Sequence, residues 1–189
     1  MDLTEHFVSG EEVYAGRLLK VQRDRVRLPD GSEAVREYIR HPGAVMILPL
    51  FDDGRVLLER QFRYPHRREF IELPAGKLDP GEAHLQTARR ELLEETGYVA
   101  ADWQRLCLLH PSIAYSDEGI ELWLARGLEL RERKLDHGEF LETLTLPFSE
   151  AVQMTRDGRI TDVKTVAGLL WMVSWGGADP VSKREIHET

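Results

Sequence analysis

The sequence has little cysteine and no long apolar run, and each shortage excludes a class of protein. Cys107 is the single cysteine among 189 residues, so the chain forms no internal disulfide and no cysteine-rich zinc site. The longest apolar run, Ala44–Phe51, is far shorter than the ~20 residues of a membrane-spanning helix. Met1–His6 lacks the basic and then apolar order of a signal peptide. We therefore expect a cytoplasmic protein without a membrane partner.

Basic residues are also in short supply. The chain has 25 Lys and Arg against 33 Asp and Glu, a formal net charge of −8. Proteins that bind nucleic acid generally need an excess of Lys and Arg for the phosphates, so we expect no nucleic-acid partner. Hydrophobic residues make up 42% of the chain, which is enough for a folded globular core.

The apolar pattern predicts strands first, then a helix, more strands and two final helices, which indicates an α+β fold. The predicted strands are Arg25–Leu28, Val35–Ile39, Ala44–Leu50, Arg55–Gln61, Phe70–Leu73, Trp103–Leu109, Ile120–Ala125 and Leu141–Leu146. The last two helices are predicted at Ser149–Arg156 and Asp162–Trp175. An apolar face on the latter is predicted at Val163, Val166, Ala167, Leu170 and Trp171.

The first helix has signals at both ends. Asp79 is a candidate N-cap, Pro80 suits the first helical position, and Glu82 completes a capping box. Gly97 is a natural stop. The predicted buried stripe is formed by Leu85, Ala88 and Leu92.

Three carboxylates crowd the end of this helix. Glu91, Glu94 and Glu95 are spaced i, i+3 and i+4, and like charges at this spacing cost about 0.2–0.5 kcal/mol each. A divalent cation offsets that repulsion, and carboxylate oxygens suit Mg²⁺ or Mn²⁺. The alternative is a solvated acidic face that Arg89 and Arg90 partly neutralise.

The surrounding residues favour the metal. Gly76–Tyr98 fits the signature G-x5-E-x7-R-E-U-x-E-E-x-G-U, with U a bulky apolar residue, and so resembles the Nudix hydrolases. Glu59–Pro65, Glu72–Asp79 and Gly138–Phe140 resemble the ADP-ribose pyrophosphatase branch of that family. The resemblance implies a Nudix-type α/β/α sandwich with a mixed sheet and a small N-terminal β-rich lobe. The implied division is 1–42 for the lobe, 43–180 for the Nudix domain and 181–189 for a C-terminal tail.

The resemblance also implies a role for each site residue. The metal ligands, for Mg²⁺ or alternatively Mn²⁺, would be the Ala75 carbonyl with Glu91, Glu94 and Glu95. Glu139 would be the general base beside the catalytic Glu94, with Glu142 as the alternative base. The substrate-binding residues would be Arg63, Arg60 and Glu72, where Glu72 either contacts a sugar hydroxyl or pairs with an arginine. The structural residues of the box would be Gly76, Glu82, Arg90 and Gly97.

The substrate implied is a nucleoside diphosphate derivative, first of all ADP-ribose, cleaved to AMP and ribose 5-phosphate. One departure from the branch is Ile113-Ala114, which stands where Pro-Gly is usual. GDP-mannose, another sugar nucleotide or flavin adenine dinucleotide are therefore alternative substrates. A nucleotide sensor without catalysis and an RNA-decapping or dinucleoside-polyphosphate enzyme are rival functions. The resemblance further implies a homodimer whose N-terminal lobe crosses to the partner.

Overall fold

The computed structural model describes residues 1–135, 138 and 140–176. The strands in this part of the chain are β1 His6–Ala15, β2 Lys20–Arg27, β3 Glu33–Arg40, β4 Ala44–Pro49, β5 Arg55–Arg63, β6 Arg68–Glu72, β7 Ala75–Lys77, β8 Tyr98–Leu109, β9 Ile120–Leu130 and β10 Leu141–Pro147. The helices are α1 His84–Thr96, α2 Phe148–Arg156 and α3 Val163–Trp175. The order of strands, one helix, further strands and two final helices is the one predicted for an α+β fold.

One compact unit comprises Met1–Gly43 together with His110–Ile120. Its sheet has the order β1-β2-β3, with both pairs antiparallel. Val26 is the only buried residue of these three strands, all of which the structure describes, and large apolar side chains such as Phe7 and Tyr14 are exposed. The segment 110–120 joins this unit through the amide of Ile39, which donates to the carbonyl of Tyr115 at 2.8 Å.

The second unit contains Ala44–Leu109 and the described residues from Glu121 onward. Its two sheets have the orders β10-β5-β6 and β7-β4-β9-β8. Every residue of β4 is buried because α1 and α3 both pack on this strand. Val45 and Ile47 join the core with Ala88 and Leu92 of α1, whereas Met46 lies against Gly168 of α3. The core therefore holds α1 firmly over the strand that pairs with β7.

Helix α1 begins later than the sequence predicted. The prediction of an N-cap at Asp79 is wrong, since the helix begins at His84 with Ala83 as its N-cap. The carbonyl of Asp79 instead accepts the amide of Glu82 in a turn at 3.0 Å, and the carboxylate of Glu82 accepts the amide of Asp79 at 3.5 Å. The amide of Ala83 donates to the side chain of Gln86 at 3.2 Å. The predicted end is confirmed, since Gly97 adopts a left-handed conformation with φ 78°.

Helix α3 begins where predicted, but its apolar face was predicted correctly only in part. Asp162 caps the helix by accepting the Thr165 amide at 3.0 Å. The buried residues are Thr165, Gly168 and Leu169, while Val163 and Leu170 are exposed. The reason is that the Thr165 hydroxyl accepts the amide of Leu73 at 2.9 Å, which turns this face of the helix toward the sheet.

Two further predictions concern membranes and chain division. No helix in the described residues is long and apolar enough to cross a membrane. The cytoplasmic location and the domain boundaries stay predictions, and the predicted tail 181–189 lies outside the described residues.

Candidate active site

Arg90 is the centre of the charged groups at the C-terminal half of α1. Its Nε and Nη2 donate to the two oxygens of Glu82 at 3.1 and 2.9 Å. Its Nη1 donates to Glu91 at 2.8 Å and to Glu94 at 3.1 Å. We call Glu82, Arg90, Glu91 and Glu94 the box network. Its single guanidinium faces three carboxylates, so it carries an excess of negative charge.

The two ends of this network titrate far from their usual ranges. The hydrogen bonds from Arg90 hold the pKa of Glu82 at about 2, with the Thr87 hydroxyl and the Arg90 charge adding to the effect against partial desolvation. The same bond to Glu82 raises the pKa of Arg90 further above its usual value, against desolvation and with support from Glu91 and Glu94. Glu82 therefore fastens the preceding turn to α1, which supports the structural role expected for both residues.

Glu95 is hydrogen-bonded to the first residue of β7. Its Oε2 accepts the amide of Ala75 at 3.1 Å, and the residue is buried. Ala75 begins β7, which pairs antiparallel with β4, so that Ala75 lies opposite Met46. The predicted ligand carbonyl and the predicted ligand carboxylate therefore belong to adjacent, hydrogen-bonded residues.

The donor set of this region suits a hard divalent cation. Glu91, Glu94 and Glu95 supply carboxylate oxygens from one turn of α1, which is the chemistry that Mg²⁺ and Mn²⁺ prefer. A side chain at Gly76 would overlap the carboxylate of Glu91, so glycine is needed there to admit that group. In the described part of the chain no three acidic, histidine or cysteine side chains already converge as a closed metal site. Glu91 and Glu94 share Arg90 instead.

A second charged network lies on β5, β6 and the start of α3. The Nε and Nη2 of Arg63 donate to the two oxygens of Glu72 at 2.7 and 2.9 Å. The Nζ of Lys164 donates to Glu72 at 2.5 Å and to Asp162 at 2.8 Å. We call Arg63, Glu72, Asp162 and Lys164 the Lys164 network. Its two cations face two carboxylates, so its charge is balanced.

Burial and charge act in opposite directions on Glu72. Desolvation raises its pKa, but the hydrogen bonds and charges of Arg63 and Lys164 outweigh that effect and the pKa is lowered. The pKa of Arg63 is raised, first by its hydrogen bonds to Glu72, against desolvation, and also by the charges of Glu72, Glu95 and Asp162. The pKa of Arg63 is therefore raised both by its hydrogen-bond partner Glu72 and by Glu95, a predicted metal ligand.

Two further predicted residues, Arg60 and Glu142, line a neighbouring pocket of about 350 Å³. It is lined by Arg60, Phe62, Glu69, Leu135, Phe140, Leu141 and Glu142. Arg60 bridges Glu142 at 2.5 Å and Glu69 at 3.3 Å, because Arg60 and Glu142 lie opposite each other in the β5–β10 register. Glu139, the predicted base, lies outside the described residues.

Sequence reasoning predicted roles for the box carboxylates and Arg63, and it did not single out Asp162 and Lys164, which the structure joins to Glu72. Lys164 meets a carboxylate 92 positions away in the chain, so no local spacing signals the contact. The helix start at Asp162 was predicted from the helical spacing of the apolar residues that follow it, which says nothing of the partners of Asp162.

Residues 40–167 match the NUDIX domain, and residues 5–39 match the nucleoside diphosphate sugar hydrolase N-terminal domain. A methanol dehydrogenase activator of Bacillus methanolicus is 38% identical over 89% of this chain and 92% of its own. An ADP-ribose pyrophosphatase of Bacillus subtilis (strain 168) is 34% identical over 90% of this chain and 93% of its own. The crystal structure of an ADP compounds hydrolase superposes with a TM-score of 0.83 at 25% identity, covering 93% of this chain and 96% of that one. These matches confirm the predicted Nudix fold, and the chain therefore belongs to the NUDIX domain family of hydrolases.

Proposed function

We propose that this protein hydrolyses the pyrophosphate bond of ADP-ribose, giving AMP and ribose 5-phosphate, with Mg²⁺ as its cofactor. The observation that carries the proposal is the acidic face of α1, where the buried Glu95 accepts the amide of Ala75 at 3.1 Å, together with Arg63, which the charge of Glu95 also reaches. A pyrophosphate needs both a cation site and an arginine beside it. The relative from Bacillus subtilis named as an ADP-ribose pyrophosphatase supports the choice of substrate.

Glu91, Glu94, Glu95 and the carbonyl of Ala75 would hold the metal. When bound, a divalent cation neutralises charge on the pyrophosphate oxygens and lowers the pKa of a water molecule. Mn²⁺ is the alternative, because the same oxygen donors accept it. Glu82 and Gly76 contribute indirectly, since one fastens the turn and the other leaves room for Glu91.

The substrate would be bound by the arginines of β5. Arg63 presents a planar guanidinium that is 45% exposed, and such a group suits bidentate contact with a diphosphate. Arg60 and the exposed ring of Phe62 line the neighbouring pocket, where the ring offers a stacking surface for a base. Glu72 is engaged with Arg63 and Lys164, which favours pairing over the alternative contact with a sugar hydroxyl.

A carboxylate would accept the proton of the attacking water. We propose Glu139 for this role, because its neighbours Gly138 and Phe140 match the loop of the branch. Glu142 is the weaker choice, since it is bound to Arg60 and a base must be able to reach its proton. The two choices make different predictions for the corresponding glutamine variants.

The experiment that tests the function is product analysis after incubation with ADP-ribose and Mg²⁺. AMP and ribose 5-phosphate should appear in equal amounts with the native protein and should be largely lost with Glu91→Gln and Glu95→Gln. If ADP-ribose stays intact, the same assay with GDP-mannose, flavin adenine dinucleotide and capped RNA identifies the alternative, with Ile113-Ala114 as the first suspected cause. Saturable binding without turnover of any of them would support the nucleotide sensor.

We also propose that the protein is a homodimer. The sheet β1-β2-β3 exposes Phe7, Tyr14 and Val35 and buries Val26 alone, and a three-stranded sheet with so small a core needs further apolar cover. A second copy of the chain supplies that cover. Light scattering during gel filtration tests the proposal, and a mass near 21.7 kDa would identify a monomer.

A further inference from the structure

Lys164 is a largely buried cation at the second residue of α3. Its side chain is 14% exposed, and it contacts Glu72 and Asp162, which are 6% and 18% exposed. A lysine is rarely withdrawn from water to this extent unless its charge is paired. Its two partners come from the end of β6 and from the cap of α3, so the contact joins two elements that the chain brings together from far apart.

The Oε2 atom of Glu72 is shared by two cations. It accepts from Nη2 of Arg63 at 2.9 Å and from Nζ of Lys164 at 2.5 Å. Arg63 uses Nε and Nη2 for Glu72, so the carboxylate holds one edge of the planar guanidinium. A carboxylate that satisfies two cations holds each of them less strongly than one that satisfies a single cation.

The start of α3 also fixes the backbone next to Glu72. The Thr165 hydroxyl accepts the Leu73 amide at 2.9 Å and donates to Asp162 at 2.6 Å. Asp162 thus binds both Thr165 and Lys164. The side chain and the main chain at the end of β6 are consequently held by the same turn of α3.

We propose that Lys164 is a positioning residue for substrate binding: it holds Glu72 and neutralises it, so that Arg63 keeps its orientation and releases part of its charge to the diphosphate. The proposal rests on the proposed function. It concerns the affinity for the diphosphate more than the chemical step, because Lys164 contacts Arg63 through Glu72 alone among the hydrogen bonds of the described residues.

The test compares Lys164→Met with Lys164→Arg and with a surface control. In Lys164→Met, Glu72 has Arg63 as its remaining cation, so KM for ADP-ribose should rise about 10-fold while kcat changes by less than about 2-fold. Lys164→Arg should recover most of the loss because it keeps the charge. Arg159→Met removes a cation paired with Asp157 on the surface and should leave KM unchanged.

The decisive comparison uses Glu72→Gln as background. Adding Lys164→Met to Glu72→Gln should change KM little, because the amide carries no charge for Lys164 to neutralise. The dissociation constant of ADP-ribose, measured by calorimetry without divalent cations, should follow the same pattern and does not depend on turnover. Equal rises in both backgrounds, or a fall in kcat with unchanged KM, would overturn the positioning role. A further outcome is that the native protein forms no AMP while the dissociation constants of ADP-ribose for the native protein and its variants follow the expected pattern. That result would overturn the proposed reaction and leave the Lys164 proposal standing.

Discussion

The box network and the Lys164 network differ in charge balance, although both are built from arginine and carboxylates in the same unit. In the box network one guanidinium serves three carboxylates. In the Lys164 network two cations serve two carboxylates. Like charges at such short range repel strongly when they are shielded from water. The first network is therefore suited to take up another cation, and the second to hold a guanidinium in place.

The two networks also differ in how they are assembled. The box network links residues at most 12 positions apart, within one turn and one helix. The Lys164 network joins β5, β6 and α3 across 92 positions. The box network depends on α1 and the turn before it, whereas the Lys164 network depends on the packing of α3 on the sheet. We therefore expect variants of the two networks to separate metal binding from substrate binding.

The largest effect is expected from the box carboxylates. Glu91→Gln or Glu95→Gln removes a charge that the cation needs, and kcat/KM should fall by at least about 100-fold. Steady-state assays at saturating Mg²⁺ measure this. Glu150→Gln, an exposed carboxylate on α2, is the matched control, and an equal loss in the control would contradict the assignment.

The second effect concerns the general base. Glu139→Gln should lower kcat about 100-fold, because a positioned base contributes roughly that factor or more. Glu142→Gln should lower kcat by no more than a few-fold, since its partner is Arg60. Measuring kcat against pH for both variants distinguishes them. If Glu142→Gln shows the greater loss and abolishes the acidic limb of the profile, Glu142 is the base.

A smaller effect is expected when Arg63 is replaced. Arg63→Met loses charged hydrogen bonds of about 1.5–3 kcal/mol in total, so KM for ADP-ribose should rise by roughly 10- to 100-fold with a lesser change in kcat. Arg67→Met is the control, because Arg67 stacks on the ring of Tyr64 outside both networks. A similar KM for both variants would remove Arg63 from the substrate site.

The smallest effect is on stability. Folding lowers the pKa of Glu82 from its usual 4.5 to about 2 through Arg90. A carboxyl with a lowered pKa contributes stability above its unfolded pKa and loses it as the pH falls through its folded value. The stability difference between the native protein and Glu82→Gln should therefore be full above pH 4.5 and disappear toward pH 2. Urea unfolding across this range measures it, and a difference independent of pH would contradict the ion pair with Arg90.

The contrast between the networks also explains what the sequence could predict. Glu91, Glu94 and Glu95 share a helix face by spacing alone, and the stop at Gly97 follows from the residue type, so both were predictable. The start of α1 was not predictable. Asp79 and Pro80 are residue types that commonly begin a helix, but Glu82 lies in the turn before α1, where its carboxylate accepts hydrogen bonds from Arg90 and Thr87.

Long-range contacts account for the other misses. The pattern on α3 identified a helix, but the burial of Thr165 depends on its bond to the Leu73 amide. No sequence signal singled out Lys164, since its partner Glu72 lies on a distant strand. Pairings of this kind are decided by tertiary packing, which local periodicity does not encode.

The separation of the two networks is tested most directly by calorimetric titration of Mn²⁺ into the native protein, Glu91→Gln and Glu72→Gln. We expect Glu91→Gln to weaken Mn²⁺ binding at least about 10-fold and Glu72→Gln to leave it within about 2-fold of the native value. Equal weakening in both variants would show that the two networks act as one, and unchanged binding in Glu91→Gln would contradict the metal site on α1.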